Sequence, residues 1–119
     1  MIQIAPQMRI LFATAPVDFR RGIDGLAAVC RAALDEDPMT GAVFVFRNRR
    51  ATALMLLAYD GQGYWLCLKR LSAGRFAWAP SDGAAAARRL LADELQLLVW
   101  NGDPDAARAA PAWRPSSPA

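Results

Sequence analysis

Basic residues in two short stretches carry the clearest chemical signal in this sequence. The stretch VFVFRNRR, residues 43–50, runs from four apolar residues suited to a β-strand into three arginines within four positions. A second basic group, KRL followed by a further arginine, occupies residues 69–75. Arginine guanidinium groups bind phosphate oxygens through paired, planar hydrogen bonds. The two stretches are therefore candidates for a phosphate-binding surface, with a solvated hairpin tip as the simpler alternative.

The residue types on which most enzymes depend are scarce. The chain has no histidine and a single lysine, Lys69, which removes the usual general base and the commonest zinc ligand. Three aspartates could be imagined as a metal-binding set, but a turn or a helix cap explains each of them separately: Asp18, Asp24 and Asp60. The sequence therefore predicts a protein that is not an enzyme and uses no metal or cofactor.

Size and composition indicate one small globular domain. The chain has 119 residues, of which 55% are hydrophobic, so it is expected to fold around one modest core. No apolar run approaches the ~20 residues needed to span a bilayer, and the first ten residues lack the pattern of a secretory signal. Cys30 and Cys67 lack CxxC spacing and are read as reduced thiols, which favours a cytoplasmic protein with no membrane partner.

The positions of the basic residues in the sequence are more informative about function than the excess of arginine over lysine. The formal net charge is +3, and all but one of the 14 basic residues are arginine. A GC-rich genome favours arginine and alanine codons, and the chain is also rich in alanine. We therefore interpret where the arginines lie rather than how many there are.

Four apolar runs predict strands at residues 9–14, 42–47, 53–59 and 64–69, and RFAWAP, residues 75–80, could add a short edge strand. The DGQG segment at residues 60–63 is a strong hairpin turn, and RNRRAT is a looser connection between the two preceding strands. Connections this short predict antiparallel neighbours. The three central runs should therefore form an antiparallel meander.

Two helices are predicted on either side of the meander. The first should begin near Asp18 as N-cap and stop near Asp37, because Pro38 disfavours helical geometry in the residue before it. The second is predicted over residues 81–103, capped by Ser81 or Asp82 and ended by Asn101–Gly102, with an apolar stripe of Leu91, Leu95 and Leu98. The proline- and alanine-rich segment 103–119 is predicted to be a disordered tail that is dispensable for folding.

The expected fold is thus an α+β domain over residues 1–102, with a sheet of four to five strands packed with two helices. In a meander, alternate turns lie at the same end of the sheet. The first hairpin tip and the end of the third meander strand should therefore meet, with Asp60 at the opposite end. The residues predicted to form a nucleic-acid-binding surface at that end are Arg47, Arg49, Arg50, Lys69, Arg70, Arg75 and the aromatic Trp78. Phe44 and Phe46 are assigned to the core.

The order and spacing of four motifs resemble a known family. FRRGIDGLAAV, DPMTGAVFVFRNRR, YDGQGYWLCLKRL and GRFAWAP resemble, over about residues 8–80, the TnpB-type accessory proteins encoded by insertion sequences of group sixty-six. These are distinct from the much longer RNA-guided nucleases that share the TnpB name. The resemblance implies a role in DNA transposition beside a separate, larger transposase, and it implies no catalytic residues.

Two functions remain open on these observations. In the first, the protein is an accessory factor that binds DNA at the element ends or at the target through the basic residues. In the second, it is an adaptor that docks on the transposase, or on another protein of the element, without contacting DNA. The same positive surface serves either role, because phosphates and acidic protein patches both attract arginine.

Overall fold

The computed structural model, which describes residues 7–78 and 85–105, is a mixed five-stranded sheet with one α-helix on each face. The elements in chain order are β1 (Ile10–Ala13), α1 (Gly22–Ala32), β2 (Val43–Arg47), β3 (Ala53–Tyr59), β4 (Tyr64–Arg70), β5 (Ala87–Leu90) and α2 (Ala92–Val99). Two single 3-10 turns, Phe19–Arg21 and Pro38–Thr40, flank α1. The predicted α+β class is confirmed.

The strand order across the sheet is β4-β3-β2-β1-β5. The predicted antiparallel meander is present as β2, β3 and β4. The first strand lies parallel to β2, and α1 makes the crossover between them, as parallel neighbours require. The sheet is therefore mixed, with β1 between a parallel and an antiparallel neighbour.

The core forms two layers because both faces of the central strands are covered. Phe44 and Phe46 of β2 pack in the layer beneath α1, as predicted, together with Leu26 and Cys30 of that helix. The alternate residues of β2 point to the other face, where they meet Leu95 and Leu98 of α2. This explains why β2 reads as a continuous apolar run rather than an alternating one.

The predicted second helix is wrong over residues 85–90. Residues 87–90 form β5, and α2 covers only Ala92–Val99. Alanine, arginine and leucine favour a helix locally, but the open side of β1 offers a row of backbone hydrogen-bonding groups that only a strand can satisfy. The Glu94 carboxylate accepts a hydrogen bond from the Leu91 N–H at 2.7 Å at the start of α2. The proposed caps Ser81 and Asp82 lie outside the described residues.

The predicted stripe and end of the second helix are largely present. Leu95 and Leu98 are buried, whereas Leu91 precedes the helix and remains 53% exposed. Asn101 adopts a left-handed conformation with φ 64°, and the Gly102 N–H donates to the Leu97 carbonyl at 2.7 Å. Asn101–Gly102 therefore ends the helix as the sequence predicts.

The first helix is shorter than predicted. The Asp18 carboxylate caps the 3-10 turn by accepting from the Arg20 N–H at 2.9 Å, and α1 itself begins only at Gly22. The helix ends at Ala32, before the region that Pro38 restricts, and Asp35 takes a left-handed conformation with φ 54°. The helix therefore ends at a turn that precedes Pro38, and the proline itself does not terminate it.

The segment predicted as an edge strand is irregular over residues 75–78 and crosses the α2 face instead. The Phe76 N–H donates to the Ala51 carbonyl at 2.7 Å, and the Ala77 N–H donates to the Asn101 side chain at 2.9 Å. Phe76 and Trp78 consequently lie in the core. The rest of that predicted strand, residues 79–80, lies outside the described residues.

The folded unit extends beyond the predicted boundary at Gly102. Pro104 is buried, and the Asp105 carboxylate accepts hydrogen bonds from the Trp78 indole at 3.0 Å and from the Arg88 guanidinium. Pro104 and Asp105, which the sequence assigned to the tail, therefore contact the domain, and residues 106–119 lie outside the described part of the chain.

Two truncations test this boundary. Ending the chain after Gly102 should lower the thermal midpoint by several degrees relative to ending it after Asp105. The shorter form loses the buried proline and two hydrogen bonds to a carboxylate, together about 2 kcal/mol. Differential scanning calorimetry of the two forms measures the difference. Equal midpoints would mean that the Asp105 contacts contribute nothing and that the domain ends at Gly102.

Within residues 7–78 and 85–105, neither α-helix has the length and apolar character needed to cross a bilayer.

Candidate nucleic-acid interface

The predicted meeting of the two basic stretches is present at one end of the sheet. Arg47 ends β2 and Arg70 ends β4, where it pairs with Ala53 at the start of β3. One residue further on, the Leu71 N–H donates to the Thr52 carbonyl at 2.9 Å. The hairpin loop at residues 48–52 and the segment after β4 are therefore direct neighbours.

The hairpin loop that carries Arg49 and Arg50 is held firmly by Asn48. The Asn48 side-chain oxygen accepts from the backbone N–H groups of Thr52 at 2.9 Å and Ala53 at 3.2 Å. Its amide nitrogen also donates to the Thr52 hydroxyl at 2.9 Å. Because the loop backbone is fixed, the two exposed arginines project from a defined tip. A fixed backbone lowers the entropy lost when their side chains bind.

A cleft of about 450 Å³ separates this tip from the loop after β1. The two loops are joined at its base, where the Val17 N–H donates to the Arg47 carbonyl at 2.9 Å. The residues lining the cleft are Pro16, Val17, Asp18, Phe19, Arg20, Asn48, Arg49 and Arg50. Three cationic side chains and one carboxylate thus face a space large enough for a phosphate group.

The single carboxylate in the cleft is already paired. Asp18 accepts hydrogen bonds from the Arg20 guanidinium at 3.0 and 3.1 Å. These bonds, with the backbone N–H of Arg20, lower the pKa of the Asp18 carboxyl to about 2. Asp18 is therefore ionised at neutral pH and offsets the charge of Arg20, so Arg49 and Arg50 carry the net positive charge of the cleft.

Arg20 was not among the residues predicted to lie at this end of the sheet. The arginine lies there because β1 runs parallel to β2, which brings the loop after β1 beside the end of β2. The strand–helix–strand pattern of residues 9–47 was the available signal, since such a connection normally joins parallel neighbours.

Arg70 and Arg75 are exposed and complete the positive surface on the far side of the hairpin tip. The segment between them turns at Gly74, whose φ of 77° is a conformation that favours glycine. The hydrogen bond from Phe76 to Ala51 returns this segment to the hairpin loop. We define the basic rim as Arg49, Arg50, Arg70 and Arg75.

Arg47 and Lys69 lie at the same end but are engaged within the protein. The Arg47 guanidinium donates to the Thr14 carbonyl at 2.9 Å, which joins β2 to the loop after β1. The Lys69 ammonium donates to the Val99 carbonyl at 2.6 Å and lies 4.6 Å from the centroid of the Trp100 ring. A cation at the carboxyl end of α2 is electrostatically favourable there. Both side chains are therefore already engaged in contacts that stabilise the fold.

Trp78 is not available for stacking on bases. Its side chain is 7% exposed, its indole N–H is bonded to Asp105, and its ring meets Phe12 edge-on at 5.2 Å. The Arg88 guanidinium lies 5.1 Å from the ring centroid. The structure thus places Trp78 in the core, where Phe76 is also buried.

The three aspartates considered for metal binding do not come together. Asp18 lies in the cleft and Asp24 in the first turn of α1, whereas Asp60 lies at the opposite end of the sheet. Asp60 closes the β3–β4 hairpin by accepting from the N–H groups of Gln62 and Gly63 at 2.9 and 2.8 Å. Among the described residues, no group of three or more histidine, cysteine or acidic side chains is placed to hold a metal ion.

Comparison with known proteins identifies relatives along nearly the whole chain. The uncharacterized protein y4jC of Sinorhizobium fredii (strain NBRC 101917 / NGR234) is 40% identical over 117 residues, which is 98% of this chain and 97% of that protein. A second uncharacterized protein of that strain, y4hO, is 38% identical over 87 residues, or 73% of this chain and 76% of that protein. No solved structure matches the chain significantly.

A family model supplies the classification. The model of the TnpB_IS66 family, described as IS66 Orf2 like protein, matches residues 8–109 and so includes both loops of the basic rim. That agrees with the resemblance of the four sequence motifs. The chain therefore belongs to the IS66 Orf2-like family.

Proposed function

We propose that this protein is a non-enzymatic accessory factor for transposition of an insertion sequence and that it binds DNA through the basic rim. Membership of the IS66 Orf2-like family indicates the accessory role. The DNA contact is our inference from the surface. Its partners in this proposal are DNA at the element ends or target and the transposase of the same element.

One observation carries the DNA contact: four exposed arginines lie in two neighbouring segments that are hydrogen-bonded to each other, the hairpin loop at residues 48–52 and residues 70–75. Between Arg47 and Trp78 the only acidic residue is Asp60, which lies at the far end of the sheet. The rim therefore has no neighbouring carboxylate from its own loops to neutralise it. A concentrated positive surface of this kind is stabilised by an anionic partner.

The exposure of the nearby aromatic residues indicates whether the basic rim suits single-stranded or duplex DNA. Binding of single strands usually adds exposed rings on which bases stack. Here Phe76 and Trp78 are buried, and the exposed ring of Trp100 near this end already carries the Lys69 ammonium on its face. We therefore infer contacts to the phosphates of duplex DNA, which position a protein on the helix without reading its sequence.

Titration of the purified protein into labelled duplex DNA at several salt concentrations tests this proposal. If the four rim arginines each neutralise one phosphate, log affinity should fall against log salt with a slope near −3.6, because each contact contributes about −0.9. Element-end and unrelated duplexes should give the same slope. Binding that is absent at low salt would refute DNA binding through the rim.

The alternative is an adaptor that docks on the transposase, and the same surface favours it. An arginine rim complements an acidic protein patch as well as a phosphate backbone. Two results together would favour the adaptor over the DNA-binding factor. The protein would fail to bind DNA, and variants that neutralise the basic rim would still abolish transposition in cells.

The protein should not cleave DNA in magnesium or manganese. Asp18, Asp24 and Asp60 lie apart, Asp18 is paired with Arg20, and residues 7–78 and 85–105 contain no other group of three acidic side chains placed to hold a catalytic ion. Incubation of supercoiled plasmid with highly purified protein and either metal, resolved on an agarose gel, measures nicking. Robust nicking that is lost on Asp18→Asn would contradict the non-enzymatic assignment.

A further inference from the structure

The outer edge of β4 is the longest open edge of the sheet. Among residues 7–78 and 85–105, no strand pairs with that side of β4, which is seven residues long. The opposite edge strand, β5, has four residues and carries Arg88 and Arg89. Charged, short edges discourage pairing with another chain, whereas long apolar edges invite it.

Exposed apolar side chains gather along this edge. Trp65 is 44% exposed and Leu68 57% exposed on opposite faces of β4, and Trp100 beside Lys69 is 76% exposed. These three are half of the large apolar residues that the described structure leaves exposed. An apolar group concentrated along an open strand indicates an interaction surface.

The hydrogen-bond pattern shows which backbone groups of β4 are available. Asp60 bonds to Gly63 and Leu71 bonds to Thr52 across the β3–β4 pair, so the odd-numbered residues of β4 face β3. In an antiparallel ladder the alternate residues direct their N–H and C=O groups away. Those of Tyr64, Leu66, Leu68 and Arg70 therefore point outward from the sheet.

We propose that a second copy of this chain occupies the edge, with β4 pairing antiparallel to its own symmetry mate about a two-fold axis at Cys67. This register uses all seven residues of β4 and places each outward-facing residue opposite another outward-facing residue. Leu66 lies opposite Leu68 of the second copy. The inference does not rest on DNA binding, although Arg70 belongs both to this edge and to the basic rim.

Side-chain complementarity selects this partner and register. Centring the axis on Cys67 sets Trp65 opposite Lys69 and Tyr64 opposite Arg70, so each cation meets an aromatic ring and no like charges face each other. Moving the axis to Lys69 would oppose the two lysines. Because Lys69 already lies over Trp100, we expect the incoming Trp65 to come close to that exposed ring as well.

The two-fold axis brings the two Cys67 residues into direct opposition. Cys67 would form a non-hydrogen-bonded pair with its counterpart, for which the Cα atoms are ~4.5 Å apart, and this distance lies within the range that a disulfide spans. Cys67 is a partly exposed free cysteine. The chain's second cysteine, Cys30, is buried, and burial raises the pKa of its thiol to about 12, so it should not react.

Sedimentation equilibrium and diamide cross-linking of the full chain test the proposal. The wild type should sediment as a dimer at micromolar concentrations. Diamide, which accepts the two electrons and two protons released when two thiols join, should give a disulfide-linked dimer on a non-reducing gel. Cys67→Ser should abolish the cross-link and keep the sedimenting dimer, whereas Cys30→Ser should keep both.

Leu68→Lys should raise the dimer dissociation constant at least tenfold, because it places a charge in the centre of the paired edge. Leu91→Lys, which changes another half-exposed leucine beside the opposite edge, should leave it unchanged. Leu68→Pro removes only an outward N–H and serves as a second edge variant. A wild type that stays monomeric, or a dimer unaffected by both Leu68 variants, would overturn the proposal.

Discussion

Replacing Trp78 with alanine is expected to lower the free energy of unfolding by about 3–5 kcal/mol, a typical loss for a buried tryptophan. The substitution removes the edge contact with Phe12 and the hydrogen bond to Asp105, and it opens a cavity in the core layer that the sheet shares with α2. In a domain of this size the thermal midpoint should fall by more than ~10 °C. Urea unfolding followed by circular dichroism measures the change.

Trp100→Ala is the matched control, because it deletes the same side chain from an exposed site at the end of α2. It should change stability by less than about 1 kcal/mol, the scale of an exposed contact between a lysine and a ring. Equal losses for the two variants would show that Trp78 is no more buried than Trp100. In that case Trp78 would again be a candidate for stacking on bases, as the sequence predicted.

Changing Arg49 and Arg50 together to glutamine should weaken DNA binding at least tenfold at 0.15 M salt and flatten the salt slope by about 1.8, two phosphate contacts at about 0.9 each. All duplex sequences should be affected alike, as expected for contacts that position the protein. Folding should survive, since Asn48 and the backbone hold the loop without either guanidinium. Fluorescence anisotropy at four salt concentrations measures both quantities.

Arg31→Gln provides the control for net charge. Arg31 is exposed in the last turn of α1, at the end of the sheet away from the rim, and should leave the slope unchanged. If Arg31→Gln and the single variant Arg50→Gln reduce the slope equally, then overall charge rather than the rim drives binding. If the double variant binds as tightly as wild type, the rim assignment is wrong.

The meander and the position of its arginines could be predicted because both follow from local signals. Apolar runs separated by DGQG and RNRRAT fix two hairpins, and the alternation of turns then places residues 47–50 and 70–75 at one end. Local signals could not predict that the Arg47 and Lys69 side chains are hydrogen-bonded within the protein. Their acceptors, the carbonyls of Thr14 and Val99, come from distant parts of the chain.

The strand at residues 87–90 illustrates the limit of local propensity. Its sequence, ARRL, favours a helix, yet it pairs with β1 residue by residue from Ala87 opposite Ala13 to Leu90 opposite Ile10. The burial of Trp78 has a similar cause, because it depends on residues 75–78 crossing a face of the sheet. Both features are decided by long-range packing, which no window of neighbouring residues contains.

The central place of β1 has a consequence for how the chain acquires its structure during synthesis. Ile10 leaves the ribosome eighty residues before its partner Leu90. The β2–β3–β4 meander consists of neighbouring hairpins and can form as soon as it emerges, whereas one side of β1 must wait for the last strand. Long-range pairings of this kind slow folding and prolong the exposure of apolar edges. We therefore expect docking of β5 and α2 onto β1 to be the late step, and nascent chains that end before residue 90 to be the species most prone to aggregate.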